Sequence, residues 1–393
     1  MPQTVILSGA RTPFGRLGGA LAGATAVQLG TRAASAAIER SGVAPSEIEY
    51  TIFGNVVQAG VGHIPSRQVS LAAGVPEHVG SDTINKVCAS GLRAASLADQ
   101  LIRAGDHRVI LAGGMESMSN APYLVPRART GLRYGDAALL DALLVDGLRD
   151  PWSGKLMYEQ ASEVASELGI ERGELDEWAA RSHARAIAAI DAGRIAEEVV
   201  AVEIVGRGGA ELVDTDEGPR RDSTLERLAA LRPLVPAHPT HTAGNSPGVN
   251  DGAGALVLAE AAWARGAGHE PLGRIVALGY TANRHDSLAR VPALAAQIAL
   301  EKAGWKASDL DVVEINEAFA SVALQSSRDL GVSPDRVNVN GGAVAYGHPV
   351  GASGARLVIT LVHELRRRGG GRGLAAICSG GGQGDAMLVE VGA

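Results

Sequence analysis

A chain of 393 residues with 46% apolar residues is long enough for two or three globular units. Its net charge of −7 argues against nucleic acid or an anionic membrane as partner. Two cysteines exclude a disulfide framework, no apolar run reaches the roughly eighteen residues of a membrane span, and the first residues lack a signal-peptide pattern, so a cytoplasmic protein is expected.

In chain order, the apolar run TVILS at 4–8 reads as a buried strand ended by Gly9. Residues 25–40 carry apolar side chains at helical spacing and stop at Gly42. A strand is expected at 50–53, a helix at 92–104 closed by Gly105, and a strand at 108–112 followed by a Gly-Gly turn. This alternation argues for an α/β unit with a buried sheet. Residues 121–246 read differently, as a mainly helical and loop insertion with one long helical stretch from about 155 to 192. Apolar strands return at 252–260 and 273–280.

The last third repeats the first. Residues 41–55, SGVAPSEIEYTIFGN, align with 303–317 at a constant offset, and 88–114 align with 350–380, so that Ala89-Ser90-Gly91 falls on Ala352-Ser353-Gly354. The expected organisation is an N-terminal half of residues 1–120 plus 247–271, an insertion of 121–246, and a C-terminal half of 272–393. Two similar halves would face each other with their loops in one cleft, and two cysteines nearly three hundred residues apart would meet there.

The chemistry-bearing residues lie beside glycine-rich turns. Cys88, in NKVCASG, stands at or near the start of a helix, where free N–H groups would lower a thiol's pKa; the alternative is a small inert buried cysteine. His348 sits in GGAVAYGHPVGASG, held by a loop punctuated by glycine and proline, as a general base must be. Cys378 ends the strand GLAAI and precedes Ser379 and Gly380–Gly382, a turn whose N–H groups suit an oxyanion. Asn316, in EINEAFA, ends a strand and either caps a helix or holds a water. Neither a phosphate loop nor a metal-ligand spacing is present, so no metal is expected.

These motifs, with AGGMESMSNAPYL at 112–124 and TAGNSPGVNDGAGALVLAE at 242–260, resemble those of the thiolase family, acetyl-CoA acetyltransferase type, in order and over almost the whole chain. The resemblance implies a five-layered αβαβα fold of two duplicated halves, with an insertion that covers coenzyme A and assembly as a homodimer or homotetramer. It implies Cys88 as nucleophile, His348 as its base, Cys378 as second acid/base and Asn316 as holder of a water in one oxyanion hole. The N–H groups of Cys88 and Gly380 would form the other. Leu156, Met157, Tyr158, Val235, Ala243, Ser246 and Phe319 would contact the acyl group or coenzyme A. No cofactor is implied, because the acyl-CoA thioesters are substrates.

Four segments depart from the family pattern. The usual His-Met-Gly is Leu156-Met157-Tyr158, AGNAS is AGNSP with Ser246 and Pro247, the phenylalanine after LRP is missing at Leu234-Val235, and Met-Gly-x-Gly-Pro is LARVP at 288–292. All concern the acyl and pantetheine pocket. The expected activity is Claisen condensation of acetyl-CoA and its reverse, with thiolysis of longer or branched 3-oxoacyl-CoAs as the alternative. A decarboxylating synthase is disfavoured because Cys378 stands where such enzymes place a histidine. A non-catalytic acyl-CoA-binding protein is a further alternative.

Overall fold

A computed structural model describes residues 2–206 and 209–392. The run at 4–8 forms a buried strand that passes Gly9 and extends over Thr4–Arg11. Gly9 does not end it; Ile359 packs 2.9 Å from where its Cβ would stand, so glycine serves close packing. The helix Ala26–Ser41 is capped by the Thr25 hydroxyl and closed by Gly42 at φ 69°, as the sequence pattern predicts.

Among the described residues the first half-sheet has five strands in the spatial order Gly80–Ile84, Tyr50–Gly54, Val109–Ser117, Asn250–Glu260, Thr4–Arg11, with the short strand Gly15–Arg16 also paired to Asn250–Glu260. The second half repeats it. Val312–Ile315, Gly371–Ser379, Gln383–Val391 and Gly273–Ala282 follow in the same order, with the outermost strand reduced to a single parallel bridge between Val313 and Val337. In each half the second and third strands run parallel and the third and fourth antiparallel. Among the described residues the two half-sheets pair edge to edge through two residue pairs, Val5 with Arg274 and Ile6 with Gly273.

Three apolar cores separate the layers. One lies between the first half-sheet and the helices Ala26–Ser41 and Pro65–Ala72. A second lies between the half-sheets and encloses the helices Ser90–Ala104 and Ser353–Arg367. The third lies between the second half-sheet and the helices Val291–Ala303 and Ala320–Leu330. Helix, sheet, helix pair, sheet, helix is the five-layered arrangement.

The two central helices are duplicates of each other and touch at their first turns. A Cβ on Gly91 would stand 2.8 Å from the Ala355 nitrogen, and one on Gly354 would stand 2.3 Å from the Leu92 nitrogen. This reciprocity is what a two-fold relation produces. The close approach also explains Gly114, which the sequence suggested with Gly113 as a turn. Both continue the strand Val109–Ser117: the Gly351 carbonyl passes 2.0 Å from where a Cβ of Gly114 would be, and the Gly254 carbonyl of the neighbouring strand 2.3 Å from where that of Gly113 would be.

Within 121–246 the expected long helix is two, Met157–Glu167 and Arg172–Asp191, broken at Gly169 with φ 67°. An antiparallel strand pair, Val202–Gly206 with Gly209–Val213, was not anticipated. Buried Arg11 fastens this region to the first half through Glu198 at 2.8 Å and Asp216 at 2.7 Å. Among the described residues, no helix is long and apolar enough to cross a membrane.

Candidate active site

Cys88 sits in a strained loop. Val87, just before it, has φ 44°, a conformation that β-branched residues avoid at a cost of about 1–3 kcal/mol. Neighbouring polar groups hold it there. The Val87 N–H donates to Asn85 Oδ1 at 2.9 Å, and Ser90 Oγ donates to the Val87 carbonyl at 2.7 Å while accepting from Lys86 N–H at 2.8 Å. The C-terminal half clamps the same loop: Ser379 Oγ donates to the Lys86 carbonyl at 2.6 Å, and the Lys86 ammonium pairs with buried Asp385. Cys88 is thereby tied to the strand Gly371–Ser379, which carries Cys378, and to its neighbour Gln383–Val391.

The His348 loop is held by the opposite half. The His348 N–H donates to Asn250 Oδ1 at 2.9 Å, and Asn250 Nδ2 donates to the Gly15 carbonyl at 2.8 Å. Gly347 makes this possible: its φ is 107°, and a Cβ would stand 2.3 Å from the Asn250 side chain. At the far end of the loop, the Gly351 N–H donates to Glu116 at 3.0 Å. Glu116 is fully buried, and it also accepts from the N–H groups of Val56 and Val57 and from Asn55 Nδ2. His348 Nε2 faces Asn316 Nδ2 at 3.4 Å, and Nδ1 lies 2.6 Å from Ser353 Oγ.

Asn316 ends the strand Val312–Ile315, with its N–H donating to the Ala376 carbonyl at 2.9 Å. Its orientation is fixed by the adjacent Glu317, whose carboxylate accepts from Trp178 Nε1, Ser182 Oγ, Asn338 Nδ2 and the Val344 N–H at 2.8–2.9 Å. Asn316 Oδ1 is buried without a hydrogen-bond partner among the described residues.

Cys88, His348, Cys378 and Gly380 share one cavity of about 370 Å³. Leu156, Met157, Tyr158, Ala243, Ser246 and Phe319 line it as anticipated. Val235 does not; the neighbouring Leu234, which remains partly exposed, forms that part of the wall. Asn316 lies behind His348 rather than in the wall. Sequence reasoning missed Leu144 and Leu148. They come from a six-residue π-helix, Leu143–Leu148, a form with no reliable sequence signature that recurs at functional sites. A second cavity of about 560 Å³ adjoins the first, with Ala243, Ser246, Gly248 and Val249 in both walls. Arg16, Arg220 and Arg227 line it.

The electrostatics overturn one expectation. Cys88 precedes the helix Ser90–Ala104 by two residues, and its thiol is not lowered. Burial pushes it up to about 12, although its own N–H and that of Gly380 hydrogen-bond to the sulfur; the Glu116 charge adds to the upward shift. Burial likewise holds Cys378 well above the ordinary thiol range, and proximity to Cys88 raises it further. His348 is pushed down to about 3 by burial and by the Arg356 charge. The resting constellation is therefore neutral: two thiols and an imidazole, walled by apolar side chains.

Residues 4–262 match the thiolase N-terminal domain, and residues 269–391 match the thiolase C-terminal domain. The chain is 44% identical to an acetyl-CoA acetyltransferase of Thiocystis violacea, over 98% of each chain. It is 46% identical to a probable acetyl-CoA acetyltransferase of Mycolicibacterium smegmatis, over 98% of this chain and all of the other. It is 45% identical to an acetyl-CoA acetyltransferase of Escherichia coli, over 99% of each. With both domains matched in order across the duplicated fold that carries these two cysteines and this histidine, the chain belongs to the thiolase family.

Proposed function

We propose that this chain is an acetyl-CoA C-acetyltransferase that condenses two acetyl-CoA molecules to acetoacetyl-CoA and free coenzyme A, and runs the reverse. The observation that carries the reading is the meeting of Cys88, His348 and Cys378 from two duplicated halves in one apolar cavity. The names of the relatives point to the same reaction.

Claisen condensation needs covalent capture of an acyl group and then removal of a weakly acidic α-proton. In the first half, Cys88 Sγ attacks the thioester carbonyl as His348 Nε2 takes the thiol proton. The C–S bond to coenzyme A breaks, and the departing sulfur takes its proton from Cys378. The acyl-enzyme then holds an imidazolium and a Cys378 thiolate. In the second half, that thiolate removes the α-proton of acetyl-CoA. The carbanion attacks the acyl carbonyl, a C–C bond forms, and Cys88 leaves and recovers its proton from His348. Every proton is restored. A thiol held high by burial is a weak acid and hence, once ionised, a strong base, which is what the α-carbon demands.

Each step places negative charge on a thioester oxygen. The N–H groups of Cys88 and Gly380, which already converge on the Cys88 sulfur, serve one oxyanion. His348 with a water held by Asn316 serves the other. The arginine-lined outer cavity suits the phosphates of coenzyme A. Ser246, buried with an unpartnered Oγ in the wall common to both cavities, suits an amide of the pantetheine arm. No cofactor is needed.

Assembly as a homodimer or homotetramer fits the surface. Among the described residues Gly80–Ile84 is the outermost strand of its half-sheet and carries no strand on its far side. The strand pair Tyr123–Leu124 with Leu140–Asp141 belongs to a segment that exposes Tyr123, Leu132, Tyr134 and Leu139. Two free thiols suit a reducing compartment, and we place the enzyme in the cytoplasm.

The test is thiolysis of 3-oxoacyl-CoAs from four carbons upward, with one 2-methyl branch, each with coenzyme A. A maximum at acetoacetyl-CoA is expected. A maximum at longer or branched chains would move the function to 3-oxoacyl-CoA thiolysis, and absence of turnover would leave an acyl-CoA-binding protein.

A further inference from the structure

We propose that Ser353 is a positioning residue that fixes the tautomer of His348 and receives its Nδ1–H throughout the reaction. The proposal rests on the reading of His348 as the base for Cys88.

A serine hydroxyl has one proton to give. Ser353 Oγ lies 2.9 Å from the Pro349 carbonyl, to which it donates, and 2.6 Å from His348 Nδ1. With its proton committed to Pro349, the oxygen can only accept from Nδ1, so Nδ1 carries the hydrogen. The other ring nitrogen agrees: Asn316 Nδ2 is a donor and approaches Nε2 at 3.4 Å, which requires Nε2 to be the bare nitrogen. In the proposed reaction Nε2 is the atom that takes the Cys88 proton. Both partners of His348 thus select the one tautomer that can act as a base. Ser353 is fully buried at the first position of the helix Ser353–Arg367, so no water competes for the contact.

The duplication supports the assignment. Ser90 stands at the equivalent position of the helix Ser90–Ala104, and its hydroxyl donates to the Val87 carbonyl three residues back, as that of Ser353 donates to Pro349 four residues back. One inherited serine braces the loop of the nucleophile; its duplicate braces the loop of the base and acquires the ring as a second partner. The relay holds no carboxylate behind the histidine. The imidazolium is therefore held by a neutral acceptor, and its proton is returned readily when Cys88 leaves.

The test combines two readouts on the full-length enzyme. In protein carrying ¹⁵N-histidine, with the His348 signals identified by their loss in His348→Ala, the wild type should show the hydrogen on Nδ1. A hydrogen on Nε2 overturns the proposal. Release of coenzyme A in a single turnover with acetyl-CoA is then followed for Ser353→Ala and Ser353→Thr. Ser353→Ala should acylate about 10- to 100-fold more slowly, the scale of a lost hydrogen bond to a charged group, with the tautomer preference weakened to what the Asn316 contact alone supplies and KM little changed. Ser353→Thr should restore both. Ser353→Ala acylating at the wild-type rate, or slowed with its tautomer unaltered, overturns the relay. His348→Ala acylating normally would instead refute the base assignment itself. Should the variants fold poorly, the wild-type tautomer still decides.

Discussion

Replacing His348 by alanine tests the central electrostatic claim. Burial raises the Cys88 thiol from 9 to about 12, so at pH 7 only about one molecule in 10⁵ carries a thiolate. Forming that thiolate ahead of attack costs about 7 kcal/mol, five units at about 1.4 kcal/mol each. In the wild type, His348 takes the proton as the carbon–sulfur bond forms, and the free thiolate is never required. In His348→Ala only the ionised fraction reacts. Acylation should fall by about 10³- to 10⁵-fold, the lower figure applying if water fills the space and eases the burial of Cys88. The assay is release of coenzyme A from acetyl-CoA in a single turnover between pH 6 and 10. The variant's rate should climb tenfold per pH unit throughout. His348 itself is neutral above about pH 4 and should contribute no acid limb to the wild type. A loss of less than tenfold, or a flat profile in the variant, would show that Cys88 rests as a thiolate and that the neutral constellation is wrong.

Cys378→Ala should leave single-turnover acylation within about tenfold of wild type, because the coenzyme A thiolate can depart without the proton Cys378 supplies, while condensation falls by at least 10²-fold, since the α-proton acceptor is gone; Cys88→Ala should abolish both, and normal condensation in Cys378→Ala would overturn the assignment. Tyr158→Gly should shift the kcat/KM ratio toward longer or 2-methyl-branched substrates by about tenfold or more, because Tyr158 packs with Phe319, Leu288 and Cys378 at the cavity wall; an unchanged chain-length profile counts against it. The buried histidines should cost stability below pH 6.5. His348, His183 and His241 are held at about 3, 4 and 4, so at these sites the native state binds fewer protons than the unfolded chain and loses stability as pH falls from 6.5. Glu116 and Glu314, raised to about 7 and 8, and Asp99, Asp251 and Asp385, raised by burial, act in the opposite direction. Replacing one histidine isolates its share: between pH 6.5 and 4.5, His241→Gln should gain on the wild type by about 1.4 kcal/mol per pH unit in denaturant unfolding. Parallel pH profiles for variant and wild type would refute this.

The parts of the fold that were legible in the sequence are those set by local periodicity and by repetition. The helix Ala26–Ser41 announces itself through Thr25 and Gly42. The equivalence of Gly91 and Gly354 was visible as a repeated Ala-Ser-Gly, and it marks where the two central helices touch. What was misread depends on tertiary contact. Gly113 and Gly114 looked like a turn because local reasoning assigns glycine to turns, whereas here Gly114 admits a carbonyl from the other half and Gly113 one from the neighbouring strand. Cys88 was expected to be acidified by a helix terminus, but the helix begins later and desolvation outweighs two N–H groups. Glu116 and Glu317 gave no signal: a carboxylate that ties loops together from distant parts of the chain reads, in sequence, as one more acidic residue. Leu234 and Val235 are adjacent and apolar, and only the path of the chain decides which faces the substrate.

Duplication explains why one cavity can run two half-reactions. Each half contributes one cysteine, and neither half holds its own catalytic loop unaided. The Cys88 loop is clamped by Ser379 and Asp385 of the second half, and the His348 loop by Asn250 and Glu116, which belong to the first half-sheet. The strain at Val87 persists because these contacts over-determine the loop. Such crossed bracing fixes the distances among Cys88, His348 and Cys378 through the contact between the halves rather than within either one. The glycines at that contact, Gly91, Gly114, Gly351 and Gly354, keep the halves close enough for the bracing to reach. The pocket-wall segments that depart from the family pattern lie outside this braced core. Tyr158 and Leu156 stand on the inserted region and Leu288 on a loop after the strand Gly273–Ala282. The acyl pocket can therefore vary while the positions of Cys88, His348 and Cys378 stay fixed.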